Sequence, residues 1–174
     1  AADNCAYGGR FRADLFLAFL ARMAAYRATC LFVTAPDVVA DCGATLALFE
    51  QWRPALTGWP VAFVAQDGQE ERAFPAEFDV LFVGGSTGWK TGPGAVACIR
   101  RARSAGKRIH VGRVNWRRRY DFFNLLEGGD GFTCDGTRTR FEGTATALAA
   151  WGGYQAQLAL FRGDPAVPGG DCGG

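Results

Sequence analysis

The sequence predicts an α/β fold of repeated βα units around a parallel sheet, and three observations predict it. Apolar runs of four to six residues recur, longer stretches with helical spacing separate most of them, and polar or glycine residues follow each run at once. The 174 residues, 49% of them hydrophobic, suffice for one substantial core, and no long polar linker splits the chain. One domain is expected over residues 1–162. The remainder, 163–174, has the Pro and Gly content of a frayed tail.

The candidate strands are CLFVTA (30–35), VAFVA (61–65), VLFVG (80–84), RIHVG (108–112) and GFTC (131–134), with a shorter piece at AADN. Residues 11–26 carry Leu15, Phe19, Met23 and Tyr26 at helical intervals, which predicts one buried stripe. Residues 94–107 repeat the pattern, with Val96, Ile99 and Ala102 inward, arginines outward and Gly106 placed to end the helix. Residues 117–127 and the Ala-rich stretch 144–161 read as further helices.

Six cysteines lie scattered without metal-ligand spacing, and there is a single histidine, so no metal site is expected. Free thiols and the lack of a long apolar run point to a soluble cytoplasmic protein with no membrane contact. The formal charge is only +2, yet ten of the nineteen Lys and Arg fall between Lys90 and Arg119, a window without Asp or Glu. A solvated helix face and an anion-binding surface both account for that imbalance.

In a parallel βα sheet the residues after each strand share the carboxyl-terminal face, where such folds place their ligand sites. Here that face collects Asp3; Asp37; Gln66, Asp67 and Gly68; Gly84, Gly85 and Ser86; Arg113 and Asn115; and Asp135 and Gly136. Asp37 or Asp67 taken singly reads as a turn or cap residue, but convergence of several acids and amides favours a site. VGGST lacks the spacing of a phosphate loop and serves either as a tight turn or as a close backbone approach to a ligand. His110 reads as an interior histidine, with catalysis as the alternative.

Taken in order, ADNCAYGG, APDVVAD, VAFVAQDG, FVGGSTGWK, KRIHVGRVNWRRR and CDGT resemble the tRNA-guanine transglycosylase superfamily. The resemblance is closer to its short, largely phage-encoded DpdA-like branch, which exchanges guanine in DNA for a 7-deazaguanine. It implies a TIM-type (β/α) barrel, short or incomplete here and without a zinc subdomain. It also implies a glycosyltransferase without cofactor, acting in the cytoplasm of a host if phage-encoded, with DNA and a base such as 7-cyano-7-deazaguanine as partners. A homo-oligomer or a partner chain would complete the barrel.

By the same resemblance Asp135 stands at the nucleophile and Asp3 at a second aspartate used for proton transfer. Asp37 and Gln66 match positions that read the purine edge, and Gly84, Gly85 and Ser86 match the glycine loop on the base. Lys90, Arg113, Asn115, Arg117, Arg118 and Arg119 are the expected nucleic-acid contacts. Departures from the family pattern include Cys5, Gly88 and Trp116, and the spacing of GGDGFTCDGT keeps Asp130 as a competitor to Asp135. The missing CxCxxC motif leaves tRNA as the alternative substrate, and an inactive binding relative or a barrel hydrolase of small glycosides as further alternatives.

Overall fold

The computed structural model describes residues 1–3, 11–115, 117–126, 131–136 and 146. The helix expected over 144–161, the tail, Asp130 and Trp116 lie outside the described residues, Thr146 excepted. In chain order the elements are α1 (Ala13–Arg22), β1 (Val33–Thr34), α2 (Cys42–Trp52), β2 (Val61–Ala65), β3 (Val80–Val83), α3 (Thr87–Lys90), α4 (Pro93–Ser104), β4 (Arg108–Val111), α5 (Arg117–Leu126) and β5 (Thr133–Cys134).

The five strands form one parallel sheet in the order β1-β2-β3-β4-β5, and Ala2 adds a parallel bridge to Val33 at its first edge. Neighbours in sequence are neighbours in the sheet throughout, the arrangement of a half-barrel without an order reversal. The sheet curls. In a flat sheet β1 and β4 would lie about 14 Å apart, three spacings of ~4.8 Å. Instead the rings of Phe32, at the entry to β1, and His110, on β4, have centroids 4.8 Å apart, and Phe82 on β3 meets both. The Arg108 guanidinium also donates across to the Leu31 carbonyl at 2.8 Å.

Pleating then divides the side chains. Val33, Val61, Phe63, Ala65, Leu81, Val83, Ile109 and Val111 face outward into the main core, under Phe16, Leu20, Phe49, Ile99 and Phe123 of the helices. Complete burial of each large apolar side chain contributes about 1.5–3 kcal/mol. Phe32, Ala62, Val80 and Phe82 form a second apolar cluster on the concave face.

Two helix faces differ from those the spacing predicts. In α1 the buried pair is Phe16 and Leu20, while Leu15 and Tyr26 are each 60% exposed. The helix ends at Arg22 and residues Ala24–Thr29 form a 3₁₀ turn, so a stripe counted at 3.6 residues per turn does not continue to Tyr26. Phe16 is fixed instead by Phe11, at an edge-to-face 5.8 Å, and Phe11 packs in the same way on Trp52 of α2. In α4 the buried row is Ala95, Cys98, Ile99 and Ala102, with Val96 only half-buried, because small residues let this helix lie close to the sheet. Gly106 ends α4 as expected: its φ of +69° turns the chain so that Lys107 N donates to Ala102 O at 2.9 Å.

Helix α2, absent from the sequence expectations, starts at Asp41, whose carboxylate accepts from Ala44 N at 2.9 Å, and buries Thr45 and Phe49 at an i, i+4 spacing. Among the described residues no helix is long and apolar enough to cross a membrane, and Cys30, Cys42, Cys98 and Cys134 are free thiols.

Candidate functional site

The register stacks the concave face in layers. Val64, Phe82, His110 and Thr133 pair across β2 to β5, and two residues further along lie Gln66, Gly84, Gly112 and Asp135. The two central positions of that upper layer are therefore glycines. A Cβ at Gly112 would come within 2.5 Å of the Phe82 ring, and one at Gly84 within 2.6 Å of Val64, so the apolar floor rises into the space a side chain would fill. Above this floor opens a cavity of about 450 Å³, a size suited to a small molecule or a base.

Asp3, Asp37, Gln66, Gly84, Gly85, Arg113 and Asp135 all line it, as does His110. Asp3 follows the bridge at one edge of the sheet and Asp135 follows β5 at the other. Five strand spacings would hold them roughly 24 Å apart in a flat sheet, so it is the curl that brings both to one cavity.

Asp135 is held at both oxygens while its side chain stays half exposed. Oδ1 accepts from Arg113 N at 2.7 Å and Oδ2 lies 3.1 Å from His110 Nε2. Burial raises its pKa, but the hydrogen bond from His110, the Arg113 N–H, and the charges of His110 and Lys90 together outweigh burial and hold the carboxyl below its ordinary value. An ionised Asp135 requires a proton on His110 Nε2. Nδ1 lies 2.8 Å from the Thr133 hydroxyl, which itself lies 3.5 Å from the Ile109 carbonyl. Thr133 can thus donate to a neutral ring or accept from a charged one, and Asp135 keeps its partner in either state.

The backbone that supplies the Arg113 N–H is unusual. Arg113 has φ +58°, and its turn is clamped by Val114 N to Asp135 O at 2.7 Å, by the Arg119 guanidinium on Arg113 O at 2.9 Å, and by its own side chain on Gly85 O at 2.7 Å. Asn115, half-buried, stands against Gly136, where a Cβ would meet its Oδ1 at 2.8 Å.

On the opposite wall Gln66 is buried and heavily engaged. Its Oε1 accepts from Ala40 N at 2.9 Å and from Gly85 N at 2.8 Å, and its Nε2 donates to Asp37 Oδ2 at 2.7 Å. With the acceptor filled, Gln66 has only its second Nε2 hydrogen to offer a ligand. It acts chiefly by fixing Asp37, the Ala40 turn at φ +61°, and the glycine loop.

Several expected contacts are placed elsewhere. Ser86 does not line the cavity: its N and Oγ both donate to Asp67, at 2.7 and 2.5 Å, and its hydroxyl caps α3 by accepting from Trp89 N. Asp67 is accordingly a turn organiser. Lys90 is not an exposed phosphate contact: it is 1% exposed, its Nζ donates to Gly112 O at 2.5 Å, and burial, reinforced by Arg113 and Arg119, pushes its amine down to about 7. Much of the basic run is spent on main-chain carbonyls. Arg101 donates to Gln69 O and Arg72 O and stacks on Phe74, Lys107 donates to Phe78 O, and Arg103 donates to Gly131 O. The side chains of Arg117 and Arg118 lie outside the described residues.

His110 was the residue whose role the sequence left open, and it proves both interior, at 6% exposed, and bonded to the candidate nucleophile. The signal was the pleat: one strand over and two residues on from its partner Thr133 stands Asp135. Among the described residues no group of three His, Cys, Asp or Glu is placed to hold a metal ion. No family model matches the chain, and neither the curated proteins nor the solved structures contain a significant match to it.

Proposed function

We propose that this protein is a DNA-guanine transglycosylase that exchanges guanine for a 7-deazaguanine through a covalent aspartyl intermediate. The observation that carries the reading is the pair of aspartates on one cavity: Asp135, ionised and fixed by His110 and the Arg113 N–H, and Asp3 across from it. The ordered motifs that resemble the transglycosylase superfamily supply the reaction class, and on this reading the curled sheet is part of a TIM-type barrel.

Breaking the bond from C1′ to the base develops positive charge on the sugar. An anionic carboxylate beside it stabilises that charge and then bonds to C1′ as the base leaves with the bonding electron pair. Both Asp135 oxygens keep a second lone pair beyond the hydrogen bonds they accept, so the carboxylate is oriented without being blocked. Asp3, protonated, donates to the departing guanine. As a carboxylate it then takes the proton of the incoming deazaguanine, whose nitrogen attacks C1′ and releases Asp135. One glycosidic bond replaces another.

Asp37, positioned by Gln66, and the backbone at Gly84 and Gly85 form the wall against which the purine edge is read. A pyrimidine forgoes the hydrogen bonds that this wall offers a purine edge, at about 0.5–1.5 kcal/mol for each. Extruding the base from a duplex costs a few kcal/mol, offset by phosphate contacts from Arg117, Arg118 and their neighbours.

The test is incorporation of a labelled 7-deazaguanine into duplex DNA or tRNA. Label in DNA with release of guanine is the expected result. Label in tRNA alone would overturn the choice of DNA, and guanine release without incorporation would make the protein a hydrolase.

A further inference from the structure

The Gly112–Arg113 peptide has a charged group at each end. Its carbonyl accepts from Lys90 Nζ at 2.5 Å, and its N–H donates to Asp135 Oδ1 at 2.7 Å. In a trans peptide these two groups point in opposite directions, so ammonium, peptide and carboxylate lie in one line of hydrogen bonds. We propose that Lys90 is a positioning residue for Asp135, acting through this single peptide: it fixes the plane of the bond and polarises the N–H that holds the carboxylate.

Two observations and one general property of amides support the assignment. Arg113, whose N–H holds Asp135, sits at φ +58°, a conformation that a residue with a Cβ adopts at a cost and that the surroundings must enforce. Lys90 is placed to enforce it, at the end of the short helix that Ser86 caps, with its amine buried against the carbonyl of the preceding residue. A hydrogen bond to one end of an amide also strengthens donation from the other, by roughly a tenth to a third per bond, and most where water is excluded.

The charged groups that act on Lys90 are Arg113, Arg119 and Asp135. The two guanidiniums oppose its protonation and the carboxylate favours it. Burial is the largest influence and leaves the amine titrating at about 7, so the strength of the relay changes within the neutral range. Loss of the proton there would leave the Gly112 carbonyl with a neutral donor and weaken the hold on Asp135. A surface lysine at the same position in the sequence would have no such effect.

The relay rests on the aspartyl reading only for its consequence in turnover; the contact itself is tested without activity. In the labelled wild-type protein, NMR follows the Lys90 side-chain carbon, the His110 ring and the Arg113 amide from pH 5 to 10, so that lysine and histidine titrations are told apart. The Arg113 amide is expected to shift with the Lys90 midpoint. In Lys90→Met the Asp135 carboxyl carbon is expected to titrate higher than in wild type. Turnover should fall roughly tenfold with KM within twofold, and Lys90→Arg should recover part of the loss. An Arg113 amide that ignores the Lys90 titration, or an unmoved Asp135 titration in a folded Lys90→Met, would overturn the proposal. If Lys90→Met fails to fold, the wild-type titration decides alone. A normal relay in a protein that transfers no base would fault the transglycosylase reading instead.

Discussion

His110 Nε2 and Asp135 Oδ2 stand 3.1 Å apart at the top of adjacent parallel strands, one side chain 8% exposed and the other 50%. The buried imidazole thus anchors a carboxylate that still faces the cavity. Phe32 and Phe82 pack against the same ring, at 4.8 and 4.6 Å, and fix its plane. Replacing His110 by Phe keeps this packing but removes both ring nitrogens, the one that holds Asp135 and the one that meets the Thr133 hydroxyl.

In His110→Phe the Asp135 carboxyl should therefore titrate higher than in wild type. The sign follows from linkage: a carboxyl depressed in the folded state contributes stability above its unfolded value near 3.8, lost as pH falls through the folded value. The variant should lose activity at a higher pH on the acid side, while its stability, lower at neutral pH, should fall less on acidification because the folded carboxyl is less depressed. A hydrogen bond to a charged group is worth about 1.5–3 kcal/mol, so turnover should drop at least tenfold. A pH–rate profile and acid denaturation curves check both.

Gln66→Leu should be costly in a different way. It leaves the N–H groups of Ala40 and Gly85 without their acceptor and Asp37 without its donor. At about 1–3 kcal/mol for the buried Gly85 N–H and less for the exposed Ala40 turn, a loss of about 2 kcal/mol or more is expected in urea denaturation. If Gln66 instead only read the base, stability would hold and KM alone would rise.

Two glycines two dozen residues apart should answer oppositely to alanine. At Gly112 the new Cβ meets Phe82 at 2.5 Å and drives that ring into the cavity, so ligand affinity should fall at least tenfold. At Gly88 nothing lies within 4 Å, and alanine in this helical turn should be neutral or slightly stabilising. Thermal melts and binding titrations on both variants check the contrast.

How far the sequence disclosed this arrangement follows from its period. Parallel strands buried on the helix side show as apolar runs, and all five candidate strands are present; only their ends moved, with β5 shrinking to Thr133–Cys134. The convergence of Asp3, Asp37, Gln66 and Asp135 follows from the rule that strand ends share a face, and the cavity brings all four together. Partner choice was not legible. Nothing local distinguishes a lysine on the surface from one such as Lys90 bonded to Gly112 O, or an Arg101 that reaches water from one that reaches Gln69 and Arg72 carbonyls. Those outcomes depend on what the fold places within about 3 Å. In α1 the expected stripe fails at Tyr26 because a 3₁₀ turn follows the helix, and within the helix Phe16 and Leu20 are buried in place of Leu15.

Arg101, spent on main-chain carbonyls, should behave differently from the arginines proposed to bind DNA. Arg101→Ala should cost about 1–2 kcal/mol of stability through its lost carbonyl contacts and its stacking on Phe74, with little change in the salt dependence of binding. Removing Arg117 and Arg118 together should lower the slope of log affinity against log salt by about 0.9 for each lost phosphate contact. Binding isotherms at several salt concentrations, beside melts, distinguish the two.

The most direct measurement is of the bond the mechanism requires. Protein is incubated with guanine-containing DNA, quenched in denaturant, and examined by gel and intact mass for a covalent protein–DNA species. Wild type and Asp130→Asn are expected to form the adduct, Asp135→Asn is not, and free deazaguanine should discharge it. An adduct that persists in Asp135→Asn and disappears in Asp130→Asn would place the nucleophile elsewhere. Complete absence of an adduct alongside measurable base exchange would contradict the aspartyl intermediate.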